Sequence, residues 1–121
     1  MYSTQVRSWT SLLTSLLVLA ACGEDPVPDP CVDAPTYTND IAAIVEVRCL
    51  DCHSTGKVGP ARQNAPEGLN YDTYDLTQPN FLAFSNALTS GQMPPPTGGI
   101  PGTTPFERDL VDEWQRCGNP R

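Results

Sequence analysis

Arg48-Cys49-Leu50-Asp51-Cys52-His53-Ser54 (RCLDCHS) holds two of the chain's five cysteines and its only histidine. Two thiols three positions apart serve zinc sites, disulfide oxidoreductases and covalent haem attachment. An imidazole directly after the second thiol favours the last, since Cys-x-x-Cys-His is the attachment pattern of c-type haem. Zinc wants four ligands. The motif offers three, so Cys31 or Cys117 would have to supply the fourth. Adjacent side chains such as Cys52 and His53 leave a helix in different directions, which makes a tetrahedral site awkward. A redox dithiol normally begins a helix in a βαβ setting, where the dipole lowers a thiol pKa. Here the pair ends a helix with no strand pattern nearby.

Working outward, Ile41, Ile44, Val45 and Cys49 fall at helical spacing after Thr38 or Asn39 as N-cap. That helix delivers both cysteines at its C-terminal end. From Ser54 to Pro79 the chain is rich in Gly, Pro, Asn and Asp and reads mostly as loop, with a short turn of structure in 68–76 (GLNYDTYDL). Residues 80–91 (NFLAFSNALTSG) read as a short helix with Phe81, Phe84, Ala87 and Leu88 apolar and Gly91 just past its end. Residues 92–103 (QMPPPTGGIPGT) cannot be regular, because Pro94 to Pro96 fix their own φ and favour an extended path. Then Thr104, Pro105 and Glu107 supply an N-cap, a proline at the first helical position and a capping box. Phe106, Leu110, Val111, Trp114 and Cys117 make one apolar face of this last helix, and Gly118 stops it. No alternating strand pattern of useful length occurs. The expected fold is all-α with long loops.

Residues 1–21 read as a targeting segment. Arg7 is the only charge before Glu24, and 12–21 (LLTSLLVLAA) is a short apolar run. About ten apolar residues are too few for a bilayer, which needs roughly 20, so a signal-peptide core is the better reading. Leu19-Ala20-Ala21-Cys22 resembles the lipobox of bacterial lipoproteins, in which the cysteine is acylated and becomes the new N-terminus. Acyl chains on Cys22 would anchor the protein in the bacterial envelope, periplasmic or at the outer membrane. Residues 22–36 read as a tether, because 24–35 (EDPVPDPCVDAP) has four prolines, four acids and almost nothing to bury. The domain proper is 37–121.

Removing the leader takes away one of the seven basic side chains and none of the 14 acidic ones, so the net charge moves from −7 to −8. Nucleic acid is excluded as a partner on charge, since its recognition wants a basic face. Partners would be redox proteins, a basic docking patch being the complement of this charge, together with the membrane through the lipid; otherwise the acids serve only to keep the domain soluble. Export also places the thiols in an oxidising compartment. With Cys22 assigned to lipid and Cys49 and Cys52 to the motif, Cys31 and Cys117 remain and can pair. Otherwise Cys117 is a small buried residue and Cys31 a tether thiol.

Haem iron in an electron carrier takes a histidine on one face and usually a thioether on the other. Without its leader the chain keeps one methionine, Met93, and the prolines after it would hold its loop. Taken together, Cys49-Leu50-Asp51-Cys52-His53, Gly59-Pro60, Met93-Pro94-Pro95 and a final helix with Trp114 followed by Cys117-Gly118-Asn119-Pro120 resemble a small single-haem cytochrome c domain. It is similar to those carried by bacterial lipoproteins, over Tyr37 to Pro120. The resemblance implies three to four short helices around one covalent haem c, thioether links from Cys49 and Cys52, and His53 and Met93 as axial ligands. It also implies that the first and last helices pack crosswise beside the haem. In the surrounding loop Pro60 is the candidate carbonyl for orienting His53, and Arg62 or Tyr71 the candidate propionate contact.

A domain of about 90 residues buries only about 60–65% of its unfolded surface and often needs a staple, which a covalent porphyrin would supply. Phe81, Phe84, Leu88 and Trp114 are the candidate side chains around it, or else they pack against each other. The implied activity is electron transfer, with no substrate bond broken and hence no enzyme. The rivals are a haem sensor or peroxidase-like domain with an open sixth position, and a haem-free lipoprotein used as an interaction module.

Overall fold

Thr36, not Thr38 or Asn39, starts the first helix. Its hydroxyl accepts from the Asn39 amide at 3.2 Å while its own amide donates to Asp40 Oδ2 at 2.8 Å, a reciprocal cap of the capping-box kind. The computed structural model describes residues 26–121, and in it a wide π turn, Tyr37–Ile41, runs directly into α1, Ala42–Arg48. A 3₁₀ turn, Gly59–Arg62, is the only regular piece of the long loop that follows, among the described residues. Thr73 then caps a four-residue helix, α2 (Tyr74–Thr77), accepting from the Leu76 amide. The short turn expected within 68–76 is thus a helical turn at the end of that stretch, and it runs on to Thr77. A 3₁₀ turn over Gln78–Asn80 joins α2 to α3, Phe81–Thr89. Gly91 follows at φ 73°, the left-handed conformation that ends a helix without a Cβ penalty.

The last helix, α4, is Pro105–Arg116. Thr104 Oγ1 accepts from the Glu107 amide at 3.1 Å, and the Thr104 amide donates to Glu107 Oε2 at 2.7 Å. The described chain contains no strand, so the fold is all-α.

The core lies where α3, α4 and the turn before α1 meet. Ile41, Val45, Phe84, Leu88, Val111 and Trp114 are essentially removed from solvent, each such burial stabilising by about 1.5–3 kcal/mol. Trp114 keeps its polar end satisfied, its Nε1–H donating to the Pro120 carbonyl at 2.8 Å. Helix α4 packs chiefly on α3 and meets the first helix through Tyr37–Ile41. Phe106 departs from the expected apolar face and is 70% exposed. At 3.6 residues per turn it sits about 140° round the helix from Val111, off the stripe that α3 covers.

Cys31 and Cys117 stand at disulfide distance, with Cα atoms 5.5 Å apart. The Tyr37 amide also donates to the Pro120 carbonyl, and Pro35 is buried. The expected tether of 22–36 is therefore drawn onto the domain from Cys31 onward. The leader 1–21 and Cys22 lie outside the described residues. No helix among the described residues is long and apolar enough to cross a membrane.

Candidate functional site

Where α1 ends, the chain keeps turning. The Val45 carbonyl accepts from the Cys49 and Leu50 amides, and the Cys49 carbonyl from those of Cys52 and His53, the last at 2.8 Å. This tight path turns Cys49, Cys52 and His53 inward, all buried, and leaves Asp51 outside, paired with Lys57.

Two clamps then hold the motif. Asp72 accepts from Ser54 Oγ and from the Thr55 amide, at 2.5 and 2.9 Å. Burial alone would raise the Asp72 carboxyl, but these donors outweigh it and hold the group below its usual range. Next to it, the Tyr71 amide donates to the His53 carbonyl at 2.8 Å.

The His53 ring is oriented by Leu69, whose carbonyl oxygen lies 2.9 Å from Nδ1. A carbonyl can only accept, so Nδ1 is the donor of this pair and Nε2 is the ring nitrogen available to a metal. Pro60, the candidate from sequence, is exposed, and its carbonyl accepts from the Gln63 amide instead. Arg62 is buried, and all five of its N–H groups point at protein oxygens: the carbonyls of Ser54, Lys57, Ala65, Pro66 and Leu69, and Asn70 Oδ1. Nothing on it is left for a propionate. Tyr71 does reach the site. Its ring lies 5.0 Å from His53 and 5.2 Å from Phe84, and burial first, then Cys49, raises its hydroxyl above the ordinary value.

Met93 is carried on the loop that leaves α3, its amide donating to the Ala87 carbonyl at 3.0 Å. Its side chain joins His53 in the lining of two cavities, of about 200 and about 110 Å³. His53 and Met93 line both, Cys49 lines the larger and Cys52 the smaller. The larger is walled by Leu69, Tyr71, Phe84 and Leu88, with Ala83 and Ala87 one turn apart on α3. Phe81 and Trp114 follow the second of the two readings and pack edge to face on each other in the core, with centroids 4.8 Å apart and planes at 75°. Sequence reasoning did not single out Leu69, Ala83 or Pro95 as lining residues. For Ala83 the signal was available: two alanines at i and i+4 leave room beside a helix, where larger side chains would fill it.

The thiols argue against the rival chemistries. Burial, and secondarily Cys52, pushes the Cys49 thiol up to about 12, whereas a redox dithiol needs a thiol that ionises easily. Cys31 and Cys117, either of which would complete a zinc site, are engaged with each other. What the residues could hold is a largely apolar group carrying a metal: an imidazole and a thioether on the lining of both cavities, mostly hydrocarbon walls, and one thiol on each. No protein-family model, curated protein or solved structure matches the chain.

Proposed function

We propose that this chain is a single-haem c-type cytochrome that carries electrons at the bacterial envelope, held there through an acylated Cys22. The observation that carries the reading is the convergence of Cys49, Cys52, His53 and Met93, from two segments forty residues apart, on two adjoining cavities that share His53 and Met93. Cys49 and Cys52 would form the thioether links, and His53 and Met93 would be the axial ligands.

Bound haem c supplies a one-electron couple. The protein's own residues do the rest. Leu69 fixes the tautomer and plane of His53. The Asp72 clamp on Ser54 and Thr55 keeps the attachment motif from unwinding. Phe84, Leu88 and Tyr71 give the larger cavity apolar and aromatic walls. One electron enters from a reduced partner protein and leaves to an oxidised one, with no bond made or broken. The net charge of −8 after leader removal suits partners with a basic docking face.

The test is expression with export in a bacterium that matures c-type cytochromes. The expected product keeps haem through denaturing electrophoresis, shows the sharp reduced bands of a low-spin haem, and loses the haem when Cys49 and Cys52 are both changed to alanine. An exported, correctly cleaved protein without covalent haem would overturn the reading and leave the interaction lipoprotein standing.

A further inference from the structure

Arg62 is 4% exposed, and among the described residues no carboxylate lies at ion-pair distance from it. A guanidinium keeps its charge when buried, so the loop around residues 54–70 encloses a cation whose direct partners are carbonyl and amide oxygens, with Glu67 lining the same pocket beyond ion-pair distance. Burying a charge in this way is costly unless every donor is met, and here every donor is met. One of the acceptors links the cation to the candidate ligand. The Leu69 carbonyl accepts from His53 Nδ1 at 2.9 Å and from Arg62 Nη2 at 3.2 Å.

We infer that Arg62 is a positioning residue for His53, acting through the Leu69 carbonyl, and that its buried charge raises the reduction potential of the centre to which His53 belongs. The inference rests on the haem reading above. Two effects run in the same direction. A carbonyl has two lone pairs, and the one taken by a cation draws density from the other, so Leu69 accepts less strongly from His53. The ring is then less imidazolate-like and donates less to the metal, which favours the reduced form. The field of the buried cation also disfavours the more positive, oxidised form, and in the interior it is little screened by salt.

A purely structural role would make Arg62 a staple for the loop and no more. Asn70→Asp separates the two roles. Asn70 Oδ1 accepts from Arg62 Nη1 at 3.0 Å, so aspartate keeps that acceptor and neutralises the cation where it stands. The only bond it gives up is the one from Asn70 Nδ2 to the Glu67 carbonyl, which is exposed. Lys57→Gln is the matched control: it changes the net charge equally, from a side chain that is 38% exposed.

Midpoint potentials of the haem-loaded full chain give the answer. In Asn70→Asp the oxidised-to-reduced ratio at a fixed solution potential rises about tenfold, a fall of about 59 mV for one electron. In Lys57→Gln it changes less than about twofold, because exposed charges are screened. Arg62→Met falls at least as far as Asn70→Asp, and Arg62→Lys, which keeps the charge, recovers most of the difference. Should the Arg62 variants fail to fold, Asn70→Asp alone decides. A shift in Asn70→Asp no larger than that of Lys57→Gln, with the haem spectrum unaltered, overturns the role of Arg62 and leaves the electron carrier intact. A chain with no covalent haem overturns both.

Discussion

Arg48, the last residue of α1, grips Glu107 in the first turn of α4 with two guanidinium nitrogens, its Nε and Nη2 lying 3.1 and 3.0 Å from Oε1. Glu107 is also the capping-box residue of α4, its Oε2 accepting from the Thr104 amide at 2.7 Å. It lies one turn before Val111 and two before Trp114, so its face of α4 is the one turned toward the core. One carboxylate thus caps one helix and pins the end of another.

This predicts an acid limb. Burial alone would raise the Glu107 carboxyl, but the Thr104 amide and Arg48 together hold it below its ordinary value of 4.5. A carboxylate depressed in the folded state contributes its stability above the unfolded value and loses it as pH falls through the folded one. Glu107→Gln should therefore cost about 1–2 kcal/mol at pH 7. The gap from wild type should close as pH drops below about 4.5, the carboxylate's ordinary range. Urea unfolding at pH 7 and pH 3 checks this. A gap of the same size at both would mean that the charge is irrelevant.

The second prediction concerns Cys31 and Cys117, 86 residues apart in sequence. A crosslink closing so long a loop is worth roughly 4–5 kcal/mol in the chain-entropy model. Thioether attachment would already restrain the unfolded chain, so Cys31→Ala should cost less, about 2–4 kcal/mol. Cys117→Ala should cost the same and the double variant no more. Additive losses in urea unfolding would show that the two sulfurs act separately.

The ends of helix α4 were legible, because its capping box, first-turn proline and terminal glycine are side-chain signals that act locally, whereas its apolar face was read one residue too wide at Phe106. Cys49, Cys52, His53 and Met93 were singled out as one set because covalent haem attachment and iron ligation would demand thiols, an imidazole and a thioether, and the structure places all four on the lining of two cavities. The helix at Tyr74–Thr77 was legible only as a short turn somewhere in 68–76, since four residues are too few to show a 3.6-residue period. The partner of His53 was not legible. It is a backbone carbonyl, which every residue owns, so nothing in the letter at position 69 announces it. Arg62 misled for a related reason. A loop arginine reads as surface, and its burial depends on six oxygens that come together only when the loop closes.

The anchor gives a third prediction. In an exporting bacterium Cys22→Ser should move the protein from the membrane fraction to the soluble one, since stable anchoring needs the acyl chains. Continued partition with membranes would point to an uncleaved apolar segment instead.

The last prediction separates an electron carrier from a haem sensor or enzyme, and it turns on Met93. The residue lines both cavities together with His53, and its amide is tied to the end of α3 through the Ala87 carbonyl. Its side chain is 39% exposed, so replacing it disturbs little packing. Met93→Ala should fold, keep its haem through Cys49 and Cys52, and lose the sixth ligand. The ferric charge-transfer band of thioether ligation should disappear, and the ferrous variant should bind carbon monoxide rapidly where the wild type binds it slowly or not at all. The potential should fall as well, because a soft thioether favours the reduced metal. If the wild-type ferrous protein already takes up carbon monoxide as fast as the variant, Met93 is not a ligand and the sensor or enzyme reading replaces the electron carrier.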